Sequence, residues 1–417
     1  MKREKIRSLC VFFLTSFALS IFDPIATWGQ AVSIQKYGVL PGNTPQQNTE
    51  ALQRAIDEAS LSGKALFVEP CVTGYPIATG VRLRKNVSLV GVHGPTGRGT
   101  ASVDKQHPVG SLFVITDTLN AAFTVESATQ IRGIQFWYPE QTNMDAGKIL
   151  HYKPTIQMAH DQNVQGVTLS CLTFYGEYFA MDFRSEGNTN CEQILFEHCY
   201  GYPLSGQFIA IDRCYDIPRI LHCHVNPANM REFGRSFTRS VIDAVVAQKT
   251  YTYWIDHTDN AQLMDLFTFG VFGGIYLGDN TYGQLTNFNL DCVTIGLRKS
   301  GTVQKNHNWQ IAQGSIIANC GECQKDIHPL VVEGTGHVSF TNVECFSGEN
   351  QALTTLGASE DFLTVKGDQP LSISLLGCRM HGYKAKNPIS LLNPHAHISV
   401  VGCYDCYGNE VKVKGGK

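Results

Sequence analysis

The chain has 417 residues, 43% of them hydrophobic and 17% charged, with a formal net charge of −3. That apolar content is enough to bury a large core, which excludes a disordered chain, and the near-balanced charge excludes a nucleic-acid binder, which needs a basic footprint. With 39 glycines and recurring short runs of Val, Ile, Thr and Phe, the composition points to strands and turns.

Residues 1–31 read as an export signal. Lys2, Arg3, Lys5 and Arg7 form a basic start, Leu9 to Phe22 an apolar run, and Gly29 and Ala31 the small residues of a cleavage site. The run is too short for an ordinary membrane span, and no later run reaches that length. The expected location is secreted or periplasmic, with one domain over 32–417. Next comes a helix over 48–60, NTEALQRAIDEAS, with Leu52, Ala55, Ile56 and Ala59 on one face and Asn48 or Thr49 as N-cap. Its apolar face predicts a cover over the first repeat of the domain.

From there the chain repeats. Cys171, Cys199, Cys223, Cys292, Cys320, Cys345, Cys378 and Cys403 each sit in a short apolar strand, and LMDLFTFG (263–270) fits the series without a cysteine. A recurrence near every 25 residues is the mark of a solenoid; propeller blades need about 40. A second strand family alternates with the first: YFAMDF (178–183), QFIAID (207–212), TYWID (252–256), GIYLGD (274–279), PLVVEG (329–334), DFLTVKG (361–367) and PISLLN (388–393). Short strands and sharp turns in this order predict an all-β, single-stranded right-handed parallel β-helix, with the amphipathic helix capping its N-terminal end. The cysteines are expected to stack inside as small apolar thiols, with loop disulfides open for Cys191, Cys214 or Cys403/Cys406. The CxxC pairs Cys320/Cys323 and Cys403/Cys406 fall in separate coils, which argues against one four-thiolate metal site.

The opening YGVLPGNTPQQNTEALQRAIDEA, then KALFVEP and VRLRKNVSLVGV, resembles the N-terminal module of the pectate-lyase superfamily. The resemblance is greatest to the branch shared by rhamnogalacturonases, polysaccharide-modifying enzymes and phage tailspikes, and it spans most of 33–405. It implies the β-helix fold and a polysaccharide partner. Trimers are common among such tailspikes, but no trimerisation segment is evident here. The NTD, DD, GHG and RxK series of polygalacturonases is absent in order. WIDH (254–257) resembles a motif of calcium-dependent pectate lyases but lacks the surrounding calcium carboxylates.

Aligned on one another, AMDFRSE, AIDRCYD, WIDHTDN and YLGDNTY place Asp182, Asp212, Asp256 and Asp279 at nearly one coil position, followed by Glu333, Lys366 and Asn393. Stacked carboxylates would lie roughly 5 Å apart. Like charges that close push one pKa up, and one protonated and one ionised carboxyl is what glycoside hydrolysis needs. Calcium held by the cluster and turn-bonding aspartates are the alternatives.

An insertion over 227–250 carries Arg231, Arg235 and Arg239 at helical spacing, with Arg184, Arg213 and His257 in adjacent coils. Arginine forks suit an anionic polysaccharide. Tyr253, with Tyr251, Trp254, Tyr276 and Tyr282, offers rings to stack on sugars, except where alternation turns them inward. The expected activity is glycoside hydrolysis by a pair among the four aspartates. Two alternatives stand beside it: elimination from a uronate glycan using His257 or Arg213, and glycan binding without catalysis.

Overall fold

The computed structural model describes residues 31–92, 108–141, 146–228, 239–303, 307–319, 326–346, 359–383, 385–405 and 407–412. Residues 1–30 of the expected export signal, and Arg231 and Arg235, lie outside the described residues.

Strand on strand, the chain winds into a right-handed parallel β-helix in which each coil pairs in parallel with the coil before it. Three faces result. The third holds Val81–Leu83, Phe123–Val125 and Ile156–Met158, then β1 (Phe179–Phe183), β2 (Gln207–Tyr215) and β3 (Tyr251–Thr258). It continues through the second halves of β4 (Ala261–Leu277) and β5 (Gly283–Lys299), then β6 (His328–Val332). This face is the second strand family read from the sequence.

Alternation makes the core. Ile156, Met181, Ile209, Tyr253, Ile275, Leu297 and Leu330 are successive register partners, and all are fully buried. Such a column removes apolar surface from water at about 25 cal/mol per Å².

At another corner of the coils, single residues with positive φ bend the chain: Cys171, His198, His222, Asp265, Asn287, Gln313 and Asn342. The residue that follows each bend points inward, except after Gln313, where Gly314 leaves room for the Phe288 ring. This corrects the cysteine ladder. Cys199 pairs in line with Cys223, and Cys378 adjoins Cys403, all buried. Cys171 instead occupies the bend, Cys345 aligns with Ile316, and Cys292 packs with Ile242 and Val246. Cys320, Cys323 and Cys406 lie outside the described residues. Cys191 and Cys214 face each other in register as free thiols, and Cys403 is free as well, so the loop disulfides left open by the sequence are not formed at these three.

Helix α1 runs from Pro45 to Ser62, longer than expected, with Thr44 rather than Asn48 or Thr49 as N-cap. Thr44 and Gln47 form a reciprocal capping box and Pro45 takes the first turn, where its missing N–H costs nothing. Asn48 is buried instead, holding Leu40 and the Pro76 carbonyl. Ala51, Leu52, Ala55, Ile56 and Ala59 face the core. Within the insertion, helix α2 (Arg239–Ala247) buries Val241, Ile242 and Val245. No helix among the described residues is long and apolar enough to cross a membrane.

Candidate active site

In β2 and β3, alternation turns Ile209, Ile211, Tyr253 and Ile255 inward and Asp212 and Asp256 outward. Regular strands would send the next residue back into the core. Instead Arg213 and His257 adopt left-handed φ values of 52° and 40°, a conformation that costs an L-residue about 1–2 kcal/mol. The bend keeps each of them outward beside its aspartate. Backbone bonds hold it at His257, whose N–H donates to the Asp279 carbonyl at 2.8 Å and lies 3.1 Å from Asp256 Oδ1.

Asp212 and Asp256 are register partners on adjacent coils. His257 Nδ1 bonds Asp212 Oδ1 at 2.8 Å and lies 3.3 Å from Asp256 Oδ1. Burial, and behind it the Asp212 charge, raises the Asp256 carboxyl pKa above the usual aspartate value, against the opposing pull of His257. The two carboxyls therefore stand in unlike settings. Asp212 has an imidazole partner at hydrogen-bond distance, and Asp256 is the one that favours its proton.

The next coil makes room for this. Gly278 follows Asp256 in the column, and a Cβ there would lie 2.5 Å from Asp256 Oδ1 and 2.7 Å from its Cγ. Its backbone is ordinary, so the glycine answers to the carboxylate rather than to a turn. Two residues before Asp256, Trp254 stacks on Tyr276 of the next coil, ring centres 4.1 Å apart.

The aspartate column is corrected in register. Asp182 pairs with Ala210, two positions away from Asp212's column, and its carboxylate is forked to Arg184 at 2.8 and 2.6 Å. Asp279 falls one position past Gly278. It accepts the Thr302 amide at 2.8 Å, a turn bond. Arg184, in line with Asp212, is committed to Asp182, and Arg213 donates to the Gly187 carbonyl. Tyr253 is no sugar contact. It is fully buried, its hydroxyl donating to the Phe267 carbonyl at 3.1 Å.

Glu333 does fall in the Asp256 column, where Arg298 and Ser300 bind it. The sequence reading missed Gly278. The signal was there: setting inward Ile255 against inward Leu277 aligns Asp256 with the glycine of YLGD, not its aspartate.

Asp212, Asp256 and His257 each offer a ligand atom, all within 4.8 Å of one another. Calcium takes six to eight oxygens, and two carboxylates with an imidazole nitrogen fit it poorly. The same three groups suit a smaller transition ion better.

No family model matches the chain, and no curated protein matches it in sequence. Among solved structures, the N-terminal fragment of bacteriophage phi29 gene product 12 aligns with a TM-score of 0.54 at 12% identity, over 94% of this chain and 69% of that one. The tailspike protein of an Acinetobacter phage aligns with a TM-score of 0.48 at 10% identity, over 92% of this chain and 63% of the tailspike. The A-module of a mannuronan C-5 epimerase from Azotobacter vinelandii gives 0.44 at 11% identity, over 90% and 99%. At these identities the likeness is one of architecture alone: the chain has a right-handed parallel β-helix fold, shared with the phi29 fragment.

Proposed function

We propose that the protein is a polysaccharide hydrolase whose working groups are Asp256, Asp212 and His257 on the third face. The observation that carries this reading is the pair of register-neighbouring carboxyls in unlike environments. Asp256 donates its proton to the leaving glycosidic oxygen as the C–O bond breaks. Asp212, hydrogen-bonded to His257, attacks the anomeric carbon; the ligand atoms of the two aspartates lie within 4.8 Å, nearer the roughly 5 Å spacing of retaining enzymes than the wider spacing of inverting ones. Water then cleaves the glycosyl ester, and Asp256 takes up its proton.

Elimination from a uronate has one observation in its favour. Asp212 fixes His257 through Nδ1, which leaves Nε2 as a base. Against it stands charge. Elimination needs cations to neutralise the uronate carboxylate, and among the described residues Arg184 and Arg298 are tied to Asp182 and Glu333, while Arg213 is held by the Gly187 carbonyl. Hydrolysis is the better supported reaction, and it calls for no calcium.

A panel of neutral and anionic polysaccharides, with reducing ends and ultraviolet absorbance read together, tests the reading. New reducing ends without absorbance support it. Absorbance from a new double bond overturns it in favour of elimination through His257, and silence from folded protein leaves a glycan-binding protein.

A further inference from the structure

Beyond His257 the coil continues into a cavity of about 280 Å³, lined by Tyr215, Thr258, Asp259, Asn280, Tyr282 and His307. Cys214 pairs with Thr258, and Thr258 bonds the Thr281 hydroxyl, so three coils bring these side chains to one corner. The Tyr282 and His307 rings stack with centres 3.8 Å apart at 27°. Asp259 accepts the Tyr282 hydroxyl and fixes that ring. His307 Nδ1 is buried with no hydrogen-bond partner among the described residues, a state that polar groups rarely keep without a ligand or water.

The position matters as much as the content. Trp254, stacked on Tyr276, lies two residues before Asp256, and Asp259 three residues after it, with the bend at His257 between. Tyr276 and Tyr282 share the next coil six residues apart, so at about 3.3 Å per residue the two ring pairs flank the acidic cluster within roughly 20 Å.

From this bracket we infer that Tyr282 and His307, with Tyr215, Asp259 and Asn280, form a second sugar subsite, so that the glycan crosses the coils rather than running along the helix axis. The volume sits at the small end of ligand sites and suits a single sugar unit. Among the described residues its lining has no lysine or arginine and one carboxylate, which favours an uncharged unit. Its ring faces and polar edges match the apolar face and hydroxyl rim of a pyranose. The inference rests on the proposed site, whose substrate it narrows to a neutral glycan.

Binding is best measured on the full chain carrying Asp256→Asn, so that cleavage does not enter. The probes are neutral gluco-, galacto- and manno-oligosaccharides of two to eight units, beside oligogalacturonates of equal length, read by calorimetry and tryptophan fluorescence. The expected result is binding of a neutral series that weakens about tenfold with Tyr282→Ala or His307→Ala. It should be kept by His307→Phe, which preserves the stack, and unchanged by Gln157→Ala three coils away on the same face. Tyr282→Leu, which also removes the ring, stands in should Tyr282→Ala fail to fold.

Equal affinity in the ring variants, a matching loss from Gln157→Ala, preference for oligogalacturonates, or no neutral ligand at all overturns the inference. Wild-type protein that binds through these rings yet cleaves nothing sinks the hydrolase and leaves the subsite standing.

Discussion

Two kinds of carboxylate share the third face. Asp182 and Glu333 are each gripped by an arginine fork, Arg184 and Arg298, and their charges are spent on those partners. Asp212 and Asp256, one and two coils after Asp182 and four and three before Glu333, share an imidazole in place of an arginine fork, with a glycine clearing space above Asp256. Arginine holds a carboxylate ionised and hydrogen-bonded. Burial beside a second carboxylate does the reverse and raises proton affinity. A repeating scaffold thus offers the same residue type in both settings, and the neighbour decides which one is available for chemistry.

The sharpest way to break this contrast is at the centre. Asp256→Asn or Asp212→Asn should lower kcat by about 10²–10⁴-fold with little change in KM, by reducing-end assay, with circular dichroism unchanged. Retained turnover in either variant would return both aspartates to turn structure. Gly278→Val should cost about 100-fold in kcat, because its side chain displaces the Asp256 carboxylate while the backbone tolerates it.

pH sharpens the comparison. Asp256 is raised in the folded protein above its unfolded value, so in the window between the two the folded state binds more protons. Stability falls as pH rises through that window, and the cost is complete above it. Asp256→Asn should therefore melt higher than wild type at neutral pH, with the gap closing at acid pH, and activity should fall as pH rises through the raised value. The smallest effect belongs to the arginine-held pair. Asp182→Asn should change kcat by less than about threefold, because its carboxylate is committed to Arg184 and stands two positions out of the Asp212 column. A loss equal to that of Asp256→Asn would erase the distinction.

Much of the fold was legible because it is periodic. Inward apolar residues recur strand after strand, so YFAMDF, QFIAID and TYWID announced one face of a solenoid before any coordinates. The site was legible only by residue type. Asp212, Asp256 and His257 were all named, but Asp182 and Asp279 were placed with them through slips of two and one residues. Tyr253 was offered to the sugar although its flanking alternation, Ile255 inward, already places it inside.

What the sequence alone determined is the repeat, the alternation that buries one side of each strand, and the presence of acidic residues on the other side. A period of two says which side a residue faces, not which residue of the neighbouring coil it meets. That register is decided by the corners, where single left-handed residues such as His257 let two consecutive side chains face outward together. Only the stacked coils could set His257 beside Asp212, 45 positions earlier in the chain, and leave Gly278 over Asp256.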